Sequence, residues 1–89
     1  SETILGFPDV LCVSRLTDKT FFYEFKVLKR GNTIQFEKDQ LPFYRKYKDL
    51  NVWIIAYDMK KELLYQFQAK EIFSNSKLEV LENCKVRLP

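Results

Sequence analysis

Histidine is absent from the sequence, and with it the commonest general base and metal ligand of protein chemistry. That excludes Ser-His-Asp and Cys-His nucleophilic catalysis and every zinc site that uses an imidazole. Cysteine is scarce. Cys12 and Cys84 stand far apart and outside any CxxC spacing, which argues against a disulfide framework or a thiolate metal centre. It favours two reduced thiols in a cytoplasmic compartment. With only 2 Gly and 3 Pro, collagen-like, linker and low-complexity readings fall away. No apolar run approaches the ~18 residues of a membrane-spanning helix, so no membrane role is expected. Residues 1–9 lack the basic start and apolar middle of a signal peptide. The chemistry left open to the chain belongs to carboxylates, lysines, tyrosines and two thiols.

What is present suits one soluble domain over residues 1–89, 46% hydrophobic and 30% charged, with no internal repeat. The formal charge of +3, from 15 Lys and Arg against 12 Asp and Glu, permits a nucleic-acid partner without arguing for one.

Residues 9–16 alternate loosely and are rich in Val, Leu and Cys, which predicts a strand. Thr17, Asp18, Lys19 and Thr20 supply turn chemistry, and residues 21–28, aromatic and β-branched, predict a second strand paired antiparallel to the first. Lys29, Arg30, Gly31 and Asn32 break it; Gly31 and Asn32 tolerate positive φ. Over residues 36–50 the period changes. Phe36, Gln40, Phe43, Tyr44 and Tyr47 recur at spacings of three and four, with Glu37, Lys38, Arg45, Lys46 and Lys48 on the other side, which predicts an amphipathic helix. Pro42 makes its first turn distorted, or starts the helix near Asp39. Residues 51–57 form a nearly continuous apolar run, expected as a central strand covered on both faces with Trp53 in the core. A turn at 58–61, an edge strand over 62–69, a helical turn at 70–74 and a break at Asn75 and Ser76 follow. Residues 77–88 fit either a short strand pair or a terminal helix. The fold class is therefore α+β: one small mixed sheet and one main helix.

Three pieces of this layout carry chemistry. Pro8-Asp9 opens the first strand. Glu24-Phe25-Lys26 lies within the second, where a period of two places Glu24 and Lys26 on one face and Phe25 on the other. Gln40 comes one turn into the helix. Because the start of one hairpin strand lies beside the end of its partner, Asp9 can face Glu24 and Lys26. Two carboxylates and an ammonium gathered in this way are what metal-assisted phosphodiester cleavage needs. Asp9 and Glu24 are hard oxygen ligands for Mg²⁺, and Lys26 can position a water or hold charge developing on the phosphate. The plain alternative is that Glu24 and Lys26 form a surface pair worth ~0–1 kcal/mol and that Asp9 is a turn residue. The aromatic surroundings of Glu24, expected to be apolar on both faces, weigh against it, since burying a carboxylate and a lysine is costly.

Gly6-Phe7-Pro8-Asp9, fourteen intervening residues, Glu24-Phe25-Lys26 and then Gln40 on the following helix resemble the PD-(D/E)xK nuclease superfamily, particularly small Holliday junction resolvases and VRR-NUC-type nucleases. The resemblance covers residues 6–57. It implies a restriction-endonuclease-like core, in which a helix, a three-stranded meander, a helix and a strand follow one another in an α/β/α arrangement. It implies catalytic roles for Asp9, Glu24, Lys26 and Gln40, and a Mg²⁺ or Mn²⁺ ion held by Asp9, Glu24 and the Phe25 carbonyl. The substrate would be DNA, including branched DNA. The family's N-terminal helix has no room in the eight residues before Asp9, and residues 34–36 only sketch a third meander strand. An alternative is a catalytically inactive nuclease-fold module for nucleic-acid binding or protein assembly; a plain protein-interaction domain is a third reading.

Lys29, Arg30, Arg45, Lys46 and Lys48 are candidate phosphate contacts, although basic residues at helical spacing also occur as a merely solvated face. Lys60-Lys61 reads as a charged hairpin tip and Asp58 as a turn residue. Cleavage of both strands of a duplex or junction needs two sites, and a domain of this size buries little core of its own. A homodimer is therefore expected. No small-molecule cofactor is.

Overall fold

The computed structural model describes Pro8 and residues 10–13, 19–28, 31–82 and 84–89. Strand β1 (Val10–Val13) pairs antiparallel with β2 (Thr20–Leu28), Val10 opposite Tyr23 and Val13 opposite Thr20. The predicted hairpin partners are thus present; the part of the first strand predicted beyond Val13 lies outside the described residues. After β2 the chain turns at Gly31, whose φ of 56° lies in the left-handed region that glycine alone enters without strain. It then forms β3 (Thr33–Gln35) and the helix α1 (Gln40–Lys46).

This helix has seven residues, half the expected length. Asp39 stands at the N-cap position without a side-chain capping bond, which puts Pro42 in the first turn, where its missing N–H removes no intrahelical bond. Proline here sets the start of the helix and introduces no kink. Phe36 precedes the helix, and at the other end Tyr47 leaves helical geometry with φ −110° and ψ 55°. Strand β4 (Val52–Asp58) then runs parallel to β2, Phe22 opposite Val52 and Leu28 opposite Asp58. Asp58 Oδ1 accepts the backbone N–H groups of Lys60 and Lys61 at 3.0 and 3.1 Å, closing the turn into β5 (Leu63–Gln68), which pairs antiparallel with β4. The first sheet is therefore mixed, in the order β1-β2-β4-β5.

A short 3-10 helix (Ala69–Phe73) leads into β6 (Glu79–Glu82) and β7 (Lys85–Arg87). These two strands resolve the ambiguity of residues 77–88. They do not extend the first sheet. β7 lies between β3 and β6 in a second, antiparallel sheet of three strands. The expectation of one sheet is corrected here: residues 33–35 are no third strand of the meander, because their partner is the last strand of the chain. The domain is a small mixed α+β domain, and among the described residues no helix is long and apolar enough to cross a membrane.

The core lies on one face of the first sheet. Leu28 of β2, Val52, Ile54 and Ala56 of β4 and Phe67 of β5 meet Leu41, Phe43 and Tyr44 of α1, and Ile34 and Val86 close it from the second sheet. Ile34, Ile54, Ala56 and Val86 are fully buried. The opposite face of the first sheet is left more open. Val27, Tyr57 and Leu64 form a row across three strands, 54, 39 and 60% exposed. The central strand is therefore covered on one face, and Trp53, expected in the core, is half-buried on the other.

Candidate active site

Strand alternation in β2 sends Glu24, Lys26 and Leu28 to the core face and Phe25 and Val27 outward. Glu24 is consequently 3% exposed. Its own face holds both the apolar core and Lys26; the other face is the open one, since Phe25 is 52% exposed. Beside it, Lys26 Nζ lies 3.7 Å from Glu24 Oε2, and the lysine side chain retains 15% exposure. The ammonium also stands 5.2 Å from the centre of the Phe36 ring, in a cation–π contact.

Gln40 joins this pair from α1. Its Oε1 accepts a hydrogen bond from Lys26 Nζ at 2.8 Å and another from the Glu37 backbone N–H at 2.8 Å. The Gln40 N–H in turn donates to the Glu37 carbonyl at 3.0 Å, so residues 37–40 form a doubly tied turn. An ammonium and a backbone amide can only donate, so the Gln40 amide presents oxygen to both. Its Nε2 is left with donors and no hydrogen-bond partner among the described residues. Sequence reading singled out Glu24, Lys26 and Gln40, and the structure brings all three together. It did not find Phe36 or the Glu37 backbone; the Glu-x-x-Gln spacing of Glu37 and Gln40, a helix-start pattern, was the available signal.

Asp9, Lys29 and Arg30 lie outside the described residues. Val10, the residue after Asp9, is the register partner of Tyr23, the residue before Glu24. Among the described residues no cluster of three carboxylate, thiol or imidazole groups could hold a metal ion. The donors present still fit a hard divalent cation in kind: Glu24 offers carboxylate oxygens beside the backbone carbonyl of Phe25. Arg45 and Lys46 occupy the last turn of α1 and Lys48 follows it, all exposed. They belong to a different region from Lys26. Arg45 lies over the Phe73 ring at 4.7 Å and Lys46 over the Tyr47 ring at 5.3 Å. Cys84 carries a free thiol.

In chemical terms the site combines a buried carboxylate, a cation held at one position and an amide with donors to spare. It can accept an anion next to Lys26 and Gln40 and a cation next to Glu24. Comparison with family models, with curated proteins and with solved structures finds no match to this chain.

Proposed function

We propose that this domain is a metal-dependent nuclease of the PD-(D/E)xK type that hydrolyses DNA phosphodiester bonds. The observation that carries the reading is the convergence of Glu24, Lys26 and Gln40, from a central strand and the helix that follows it, around one ammonium. Burying a carboxylate and a lysine in a domain of 89 residues costs stability that a merely structural pair seldom returns. The layout supports the reading too. An ExK strand, a crossover helix bearing glutamine and a parallel strand beside the first follow in the order the resemblance implies.

In this reading Glu24, with Asp9 and the Phe25 carbonyl, holds Mg²⁺ or Mn²⁺. When bound, the ion polarises the scissile phosphate and acidifies a water. Lys26 holds the negative charge that grows on the phosphate, and its position is set in advance by Gln40 and Phe36, so little reorganisation is needed during reaction. Gln40 Nε2 donates to a phosphate oxygen or to the attacking water. Lys29, Arg30, Arg45, Lys46 and Lys48 contact the backbone.

A homodimer is part of the proposal. The row of Val27, Tyr57 and Leu64, continued by Ile55 and Gln66, carries no charged side chain. Such a face can meet a second copy of itself without like-charge repulsion.

The test is incubation with plasmid, linear single-stranded and four-way-junction DNA, with and without Mg²⁺ or Mn²⁺, beside Glu24→Ala and Lys26→Ala. Metal-dependent cutting that disappears in both variants is the expected result. Binding without cutting, unchanged in both variants, would instead identify an inactive module on the same fold.

A further inference from the structure

A cavity of about 260 Å³ opens where the loop after α1 meets the end of β5. Lys48 and Lys70 line it, together with the side-chain amides Asn51 and Gln68, and Asp49 is the acidic residue among its walls. Both lysines are exposed and neither is ion-paired among the described residues.

The two amides are oriented by their neighbours. Asn51 Oδ1 accepts from Trp53 Nε1 at 3.1 Å and from Gln68 Nε2 at 3.5 Å. An indole N–H can only donate, so Asn51 turns its oxygen to Trp53 and keeps its NH₂ for the cavity it lines. The Gln68 oxygen is likewise taken, by the Glu71 backbone N–H in the capping box of the 3-10 helix. Glu71 Oε2 closes that box by accepting the Gln68 N–H at 2.8 Å. Two ammonium groups, the Asn51 NH₂ and the one Gln68 N–H not donated to Asn51 make the polar lining rich in donors, with one carboxylate against them. Such a lining suits a phosphate group.

The position of the cavity identifies the source of that phosphate. Phe22 N–H donates to the Asn51 carbonyl at 2.9 Å, and Phe22 is the register partner of Val52. Glu24 and Lys26 follow on the same strand two and four residues later, about 7 and 13 Å at ~3.3 Å per residue. That stretch of β2 faces the buried core, so a strand joining the cavity to Glu24 and Lys26 passes over the surface around it. Arg45 and Lys46, both exposed in the last turn of α1, precede Lys48 by three and two residues in the chain. We infer that the cavity holds a backbone phosphate of the nucleic-acid strand whose scissile bond is placed at Glu24 and Lys26. This inference rests on the nuclease reading.

Trp53, the single tryptophan of the chain, touches the cavity through Asn51, so its emission reports occupancy. The full chain is titrated with a single-stranded oligonucleotide, with inorganic phosphate and with a nucleoside monophosphate, and the same is done for the double variant Lys48→Ala, Lys70→Ala. Metal-dependent cleavage by the unaltered chain is followed in parallel. The expected result is a saturable change in emission with the oligonucleotide, its midpoint weakened about tenfold in the double variant. The slope of log affinity against log salt should fall by about 0.7, one phosphate contact on a single strand. Cleavage by the unaltered chain with an unchanged midpoint and slope in the double variant overturns the cavity while the nuclease reading stands. Saturation by phosphate or the monophosphate at the oligonucleotide's own concentrations also overturns it, in favour of a free anion. Absence of both cleavage and oligonucleotide binding removes the two together.

Discussion

Lys26 on β2 and Gln40 at the start of α1 are joined by a 2.8 Å hydrogen bond, and the oxygen that accepts it also accepts the Glu37 backbone N–H. One amide therefore ties the turn before the helix to the cation on the central strand. One side chain thus orders the turn and fixes the position of the ammonium.

Its two functions separate by substitution. Gln40→Ala removes the acceptor from a buried position and is expected to lower stability by about 1–3 kcal/mol, with cleavage falling as Lys26 is released. Gln40→Glu keeps an acceptor for Lys26 and Glu37 but loses the Nε2 donors. It is expected to melt near the unaltered chain and still to cleave more slowly. Thermal melting and cleavage rates measured on both variants check this.

The ion pair is expected to cost stability for the sake of activity. Replacing a buried pair by apolar residues of similar size is commonly neutral or stabilising. Glu24→Leu combined with Lys26→Met should therefore keep or raise the melting temperature while abolishing metal-dependent cutting. A melting temperature that falls by many degrees would mean that the pair mainly supports the fold.

Backbone strain gives a third prediction. Glu62, in the turn between β4 and β5, has φ 53°, and Gly31 has φ 56°. Among the described residues other than its chain neighbours, no atom lies within 4 Å of a Cβ placed on Gly31, so conformation sets its requirement for glycine there. Glu62→Gly is expected to stabilise and Gly31→Ala to destabilise, each by about 1 kcal/mol. For a domain of this size that is a shift of about 4–8 °C in Tm, of opposite sign in the two variants.

The open face of the first sheet gives the fourth. Val27→Glu places a charge in the row shared with Tyr57 and Leu64. Sedimentation velocity across a concentration series should show the dimer lost in this variant and retained in the unaltered chain. A monomer at every concentration in both would remove the dimer from the proposal.

How much of this was legible beforehand depended on the range of the forces involved. The turn at Gly31 and the period of β2 are local, and both were readable from adjacent residues. So was the shared face of Glu24 and Lys26. The length of α1 was not, because Phe36 and Tyr47 keep the helical spacing of apolar residues although neither is helical. They pack against the helix from flanking turns, Phe36 on Tyr44 with ring centres 5.9 Å apart and Tyr47 on Phe43 at 4.8 Å. Trp53 misled for a related reason. An unbroken apolar run does not reveal that one of its two faces stays open. The donor-lined cavity left no local pattern at all, since Asn51, Gln68 and Lys70 are gathered only by the pairing of β4 with β5.

The second sheet carries a consequence for how the chain is made. Its middle strand, β7, is the last to leave the ribosome, while its outer strands β3 and β6 are synthesised earlier. Until Val86 arrives opposite Ile34, and the Leu88 N–H meets the Asn32 carbonyl, both earlier strands wait with open backbone edges. Such edges invite pairing with neighbouring chains. Vectorial synthesis thus leaves the second sheet open to association until β7 is delivered, and anything that delays β7 lengthens that interval.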